Sequence, residues 1–551
     1  MTKAGIFTKL IAASFLLAGA AVAPAAEAGL DLIIRNGTVY DGTGSAPRRA
    51  DIGIGGGRIL FVGAAGDREA KTEIDARGLT VAPGFVDPHS HVLESVTGVE
   101  GPFLAPQILA QGITTSSIGA DGFRSPDELR TLFAALKAKG SSTNHFCYVG
   151  HNGVRKAVMG HEKRAATEAE MDRMKALVRE GMAMGCVGLS AGLMYDPGMF
   201  SPREEIVALA REVKPFDGTF DSHSRDPVKQ FLASELETAE IGIAAGIPAK
   251  LGHLKAVGLS NKGKSADLVA RIDALRAQGH DIVADIYPYD GAQTNRLANI
   301  LVFPGQPPIR PSQSLDSVIA ALRTTLADPA AKAALRDATN NGYRGGFSWV
   351  KAVGYDSIRI VDAPGQPDLV GKYLSLMAEA KGEDPFDTMV DLLLNAKGTI
   401  IITAGAMVEE DVQRLLVQPW DMISSDGSYI GKGSVYQAAP HPRSSGSFAR
   451  VLGHYSRDLK LFPLAEAIRK MTSLPARHLR LYDRGEIAVG KAADIAIFDP
   501  AAVADKADYV HPERLAVGMK HVLVGGIAVW RDGAPTGATP GAFIARQPSD
   551  R

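Results

Sequence analysis

Residues Val81–Ser95 read VAPGFVDPHSHVLES, an apolar run that closes on Asp87 and is followed by two histidines one residue apart. A Pro83–Gly84 pair precedes Phe85, and Pro88 stands just ahead of His89. Alternate side chains of a strand share a face, so Phe85, Asp87, His89 and His91 are expected to point the same way. Two imidazoles leaving one strand end together suit a metal site, and equally a pair of surface or capped histidines. The remainder of the chain has to decide between them.

The totals are those of a globular protein: 551 residues, 45% hydrophobic and 22% charged, enough for a large core and a second, smaller domain. With 60 Lys+Arg against 61 Asp+Glu, the formal net charge is -1. No sustained basic patch with interleaved aromatics occurs, so the expected partner is a small molecule and not a nucleic acid. Residues 1–28 read as a signal peptide, with Lys3 and Lys9 at the start and an apolar stretch over Leu10–Val22. Ala26-Glu27-Ala28 offers an A-x-A cleavage site, with Ala23-Pro24-Ala25 as a second candidate. No cysteine follows that stretch and no other run is long and apolar enough to span a bilayer. An exported, periplasmic protein without a stable membrane anchor after cleavage is therefore expected. Cys147 and Cys186 each lie in an apolar, strand-like stretch, which points to two buried free thiols.

Moving outward, LDLIIRNGTVYDGTG and ADIGIGGGRILFVGAA alternate apolar and polar residues between glycine turns, and the pattern returns in GEIAVGKAADIAIFDP and MKHVLVGGIAVWRDG. Both termini are expected to build one small β-sandwich domain, residues 29–82 and 484–540. Between them, strands alternate with helices. Strands are read at Val81–Asp87, Ile113–Ile118, His145–Val149, Val187–Ala191, Thr219–Ser222, Ile247–Leu251, Asp281–Ile286, Thr399–Thr403 and Met422–Ser424. Helices such as SPDELRTLFAALKAKG, TEAEMDRMKALVREGMAMG and SPREEIVALAREV each open on a cap residue with carboxylates in the first turn. This alternation predicts an α/β fold, a (β/α)8 barrel or a doubly wound sheet, over 83–483 with an insertion at about 298–372. The list holds one strand more than a simple barrel needs.

Barrel chemistry collects at the C-terminal ends of the strands. His89 and His91 end the first, Asp121 follows the second and His151 the third. His223, His253 and Asp426 end later ones. Each alone is weak, but imidazoles and carboxylates at successive strand ends are the ligand types of zinc and comparable divalent ions. The chain here resembles the amidohydrolase superfamily, and within it the N-acyl-D-amino-acid deacylases. APGFVDPHSH and GKAADIAIFDP carry the superfamily likeness; GLSAGLMYDPG, HLKAVG, DIYPY and SSDGS carry the branch. The resemblance implies a (β/α)8 barrel beside a β-sandwich formed by both termini. It also implies that His89, His91, His223 and His253 bind metal, and that Asp426 touches the metal and moves protons. The deacylases carry a Cys in a GNCGF-like turn where this chain reads GADGF, with Asp121 in its place. Asp121 is thus a candidate ligand, and zinc or another divalent metal, one or two ions per chain, is the expected cofactor.

A divalent ion lowers the pKa of its water and polarises a carbonyl, and Asp426 could pass the water's proton to the leaving nitrogen. That chemistry fits hydrolysis of N-acyl-D-amino acids to a carboxylate and a D-amino acid. Lys255 and Tyr287 are candidates for the substrate carboxylate, and His151 for its carbonyl oxygen. Arg225 and Arg443 are further candidates, each weighed against an ordinary surface ion pair. The alternatives are a dipeptidase-like or hydantoinase-like hydrolase and a non-catalytic periplasmic binding protein. Many hydantoinase-like relatives need a bridging carboxylated lysine. Strand alternation turns Lys250 away from His253, while Lys156 is not excluded. Sequence alone leaves the oligomeric state open.

Overall fold

The computed structural model describes residues 29–93, 101–306, 309, 313–405, 407–429 and 441–547. The signal-peptide stretch lies outside these residues. Eight parallel strands form the barrel: β1 (Phe85–Asp87), β2 (Ile113–Ile118), β3 (Asn144–Gly150), β4 (Gly188–Gly192), β5 (Thr219–His223), β6 (Ala249–Leu251), β7 (Ile282–Ile286) and β8 (Asp421–Ile423). Neighbours pair in chain order from β1 to β8. The seam between β8 and β1 is drawn together above the barrel, where Gly427–Ser428 pairs in parallel with Ser90–His91. Asp87 reinforces it by accepting the Ser425 backbone N–H at 3.1 Å and the Ser425 hydroxyl.

The single run read over Val81–Asp87 is two strands. Thr80–Pro83 pairs antiparallel with Ile495–Phe498 and belongs to a nine-stranded mixed sheet built from both termini. Phe85 then enters the barrel. Gly84 makes the change of sheet possible, since a Cβ there would lie 2.3 Å from Thr114 Oγ1. The surplus strand of the sequence reading is Ile401–Gly405. It stands outside the barrel in a three-stranded antiparallel sheet with Gly291–Arg296 and Ile358–Asp362. This sheet has its own apolar core, including Leu297, Ile300, Leu335, Ile360, Phe386 and Ile402.

Two of the expected caps form. Ser125 and Thr167 close capping boxes with Glu128 and Glu170 at the starts of helices Pro126–Lys139 and Glu168–Ala183. The third does not: helix Arg203–Arg211 begins after Pro202 without a side-chain cap, and Ser201 Oγ lies 3.3 Å from His151 Nε2 instead. The reading of two free thiols is also corrected. Cys147 and Cys186 form a disulfide with a Cα–Cα distance of 4.6 Å. Cys147 lies within β3 and Cys186 enters β4, and these strands are paired neighbours, which brings two residues 39 apart in sequence side by side. Among the described residues, no helix is long and apolar enough to cross a membrane.

Candidate metal centre

Asp121 occupies a tight turn after β2, flanked by Gly119 (φ +83°) and Gly122 (φ +76°), and itself has φ +55°. Aspartate tolerates this left-handed conformation better than most side chains. A Cβ on Gly122 would meet Asn152 Oδ1 at 2.4 Å, so the turn also depends on close backbone approach. His253 (φ +37°) and Asp426 (φ +44°) follow β6 and β8 in the same unusual conformation. Three cluster residues are thus held in a sparsely populated backbone region by the packing around them, as occurs where geometry serves a site.

The side chains converge. Asp121 Oδ1 lies 3.2 Å from His89 Nε2 and 3.3 Å from His253 Nε2, and Oδ2 lies 3.5 Å from His91 Nε2. Asp426 Oδ1 is 3.4 Å from His91 Nε2 and 3.8 Å from His89 Nε2. His223 joins from β5, its ring edge-on to His253 at 4.5 Å between centroids. Its Nδ1 donates to Ser224 O at 3.0 Å, which leaves Nε2 as the electron-pair donor.

Two observations test whether these residues suit a cation. Donors about 2.0–2.1 Å from one tetrahedral ion lie about 3.4 Å apart, the spacing found between Asp121, His89, His91, His253 and Asp426. Both ring nitrogens of His89 and Asp121 Oδ1 are also buried without a hydrogen-bond partner, a costly state that a metal would relieve. His89, His91, Asp121 and Asp426 form a candidate binuclear metal site with their donor atoms within 4.8 Å of one another. Asp121 is its central carboxylate, with one oxygen towards His89 and His253 and the other towards His91.

Electrostatics favour ionised carboxylates here. Burial pushes Asp121 up, but the imidazoles of His89 and His253 together hold it well below the ordinary carboxylate range. Burial acts likewise on Asp426, and Arg443 and His253 outweigh it. His223 is depressed to about 3 by burial and by His253, so it is a neutral donor.

Beside the cluster stand two cations. Lys255 Nζ contacts His253 Nδ1 at 2.6 Å and His253 O at 2.7 Å, and lies 5.2 Å from the Tyr287 ring centre. The Arg443 guanidinium lies 4.8 Å from the centre of the same ring and donates to Asp426 Oδ2 at 2.6 Å. The surface ion pair weighed for Arg443 is therefore corrected: its side chain is partly buried at the site and pairs with Asp426, because the segment after residue 440 packs on Gly427–Ser428, where Ser428 N–H donates to Ser444 Oγ at 3.0 Å. Arg225, by contrast, forms an ion pair with Glu237 at 2.9 Å. His151 is drawn away from the cluster too, with Nε2 3.1 Å from Glu205 Oε1 and Nδ1 3.3 Å from Asn152 Oδ1. Its expected contact with a substrate carbonyl is replaced by this buried network, which Arg155 completes on Glu205.

Sequence reasoning overlooked the aromatic wall, where Tyr195 lies 4.8 Å from His223 and Phe123 lies 5.9 Å from His91. Phe123 lies in GADGF and Tyr195 in GLMYDPG, so both flank residues the sequence does single out. It also placed Lys250 on the wrong face. That side chain lies inside the barrel, ion-paired with Asp221 at 2.8 Å and with Asp285. Lys156 is exposed on helix His151–Met159. Neither lysine is at the cluster.

A model described as the amidohydrolase family matches residues 291–530. The D-aminoacylase of Alcaligenes xylosoxydans xylosoxydans is 34% identical over 536 residues, covering 94% of this chain and 98% of its own. A D-aminoacylase crystal structure superposes with a TM-score of 0.73 at 30% identity, covering 94% of this chain and 100% of that one. The N-acyl-D-glutamate deacylase of Bordetella bronchiseptica, complexed with zinc and a phosphonate mimic of the tetrahedral intermediate, does so with a TM-score of 0.72 at 31% identity, covering 94% and 99%.

Proposed function

This chain belongs to the amidohydrolase family, in the branch of the N-acyl-D-amino-acid deacylases, and from that premise we propose that it hydrolyses N-acyl-D-amino acids to a carboxylate and a free D-amino acid. The observation that carries the reading is the juxtaposition of the carboxylate–imidazole cluster with a pair of cations, buried Lys255 and partly buried Arg443, both within reach of the Tyr287 ring. One part suits an amide carbonyl and the other an α-carboxylate.

His89, His91, Asp121, His223, His253 and Asp426 would hold one or two divalent ions, zinc being the metal in the Bordetella relative. When bound, such an ion supplies Lewis acidity for the amide carbonyl and the attacking water. Asp426 accepts the water's proton and returns it to the nitrogen as the C–N bond breaks, since an unprotonated amine is a poor leaving group. An imidazole that ligates through Nε2 keeps its proton on Nδ1, so a loaded site turns Lys255 away from His253. Its ammonium is then available to the substrate carboxylate, with Arg443 and the Tyr287 hydroxyl as further donors. Phe123 and Tyr195 would line the acyl side.

The hydantoinase-like alternative loses support because Lys250 is engaged by two carboxylates and Lys156 faces solvent. Export to the periplasm also forms part of the proposal: residues 1–28 suit a signal peptide, and the Cys147–Cys186 disulfide suits an oxidising compartment.

The test is a metal-stripped sample assayed against a library of N-acetylated L- and D-amino acids before and after zinc is added. Zinc-dependent release of D-amino acids is expected. Equal rates on L and D substrates, or on amides without the carboxylate, refute the assignment.

A further inference from the structure

Below the metal cluster the barrel contains a second, unexpected set of charges. Asp221 from β5, Lys250 from β6 and Asp285 from β7 are fully buried, and no side chain of the three reaches solvent. His89, Asp221 and Asp285 could by themselves hold a cation. The Lys250 ammonium already stands there, 2.8 Å from Asp221 Oδ1 and in contact with Asp285 Oδ2. A buried ion set of this kind is a poor device for stability, because desolvation offsets most of the attraction. Its geometry serves another purpose.

Asp285 has a second oxygen. Oδ1 accepts the backbone N–H of His253 at 2.9 Å, at the point where that residue takes its left-handed turn. The same oxygen faces His89 Nδ1 at 3.9 Å, a nitrogen with no hydrogen-bond partner. A histidine that ligates through Nε2 must donate from Nδ1, and a carboxylate behind it fixes tautomer and ring orientation.

We propose that Asp285, anchored by Lys250, is the positioning residue of the metal centre: it orients His89 through the ring and His253 through the backbone. Lys250 thereby acts as a built-in cation that ties one oxygen of Asp285 and leaves the other for the histidines. Asp221 is its counterweight. Asp221 Oδ2 accepts the Ser190 hydroxyl at 2.7 Å, and Ser190 Oγ in turn accepts Gly122 N–H at 3.2 Å, but Asp221 makes no hydrogen bond to either histidine. The inference rests on the reading of His89 and His253 as metal ligands.

The arrangement allows a matched comparison. Asp285→Asn and Asp221→Asn each leave one lysine facing one carboxylate, so both remove the same charge from the same buried set. Asparagine at 221 also keeps an acceptor for Ser190. Zinc affinity is measured by chelator competition on folded protein, with circular dichroism as the control. Asp285→Asn is expected to bind zinc about 10–100-fold more weakly, the loss usual for an outer partner of a ligand. Asp221→Asn should lose less than about tenfold. Equal affinity in Asp285→Asn and the parent overturns the proposal, as does an equal loss in both variants, which would make the set merely structural. Should Asp285→Asn fail to fold, the charge-neutral pair Lys250→Gln/Asp285→Asn must show the same loss, and full zinc retention in it overturns the inference. A parent that binds no zinc refutes the ligand assignment itself, a different failure from an Asp285→Asn variant that binds it normally.

Discussion

Removing the Asp121 side chain is the most informative single perturbation of this site. Its two oxygens lie 3.2, 3.3 and 3.5 Å from Nε2 of His89, His253 and His91, so one carboxylate serves both halves of the donor set. Asp121→Ala halves the carboxylate charge of the cluster, leaving Asp426 alone, and that remaining carboxylate is shared with Arg443. Loss of an outer-sphere partner weakens metal binding about 10–100-fold, so loss of a direct, central ligand should exceed 100-fold, or about 2.7 kcal/mol. The expected result is folded protein that releases its metal on dialysis against a chelator, read by elemental analysis. Asp121→Cys should retain metal and move selectivity towards zinc over manganese, because thiolate is softer than carboxylate. The parent should accept several divalent ions. Metal content unchanged in Asp121→Ala would refute the reasoning and leave Asp121 as a residue that merely closes its turn.

Asp426→Asn is expected to cut kcat by about 10²–10⁴-fold with the fold intact, because asparagine can neither accept nor return the proton; near-native turnover would assign the transfer to another group. Lys255→Ala should raise KM at least as much as it lowers kcat, since a carboxylate contact forms before the transition state; a kcat effect alone contradicts that role. Cys147→Ala/Cys186→Ala removes a link across 39 residues, and chain entropy puts the loss at about 4 kcal/mol. Denaturant unfolding reads it, and two titratable thiols in the unreduced, unfolded parent would show that no bond exists. His145 is buried, and burial depresses it to about 3, below the 6.5 of a free histidine. The unfolded chain therefore binds the extra proton, and this contribution is complete above about pH 6.5 and is lost as pH falls towards 3. At pH 5 the loss is about 2 kcal/mol, and His145→Gln should flatten the dependence of the unfolding midpoint on pH between 7 and 5.

Local pattern carried much of this protein. Alternating strands and helices with histidines and aspartates at successive strand ends are short-range features, so barrel, terminal sheet and candidate donor set were all legible in the sequence. The change from GNCGF to GADGF was equally plain, because it is a matter of residue identity. What the sequence could not settle were pairings between distant segments and orientations across irregular turns. Counting by twos from Lys250 to His253 fails because β6 ends at Leu251 and His253 has φ +37°, so strand parity no longer applies. Arg443 reaches Asp426 only because the chain folds back onto Gly427–Ser428, and His151 turns to Glu205, which helix Arg203–Arg211 carries. Cys147 meets Cys186 through the pairing of β3 with β4. Periodicity fixes the face of a residue within its own element, whereas its partner is fixed by which elements pack together, and that belongs to the tertiary structure alone.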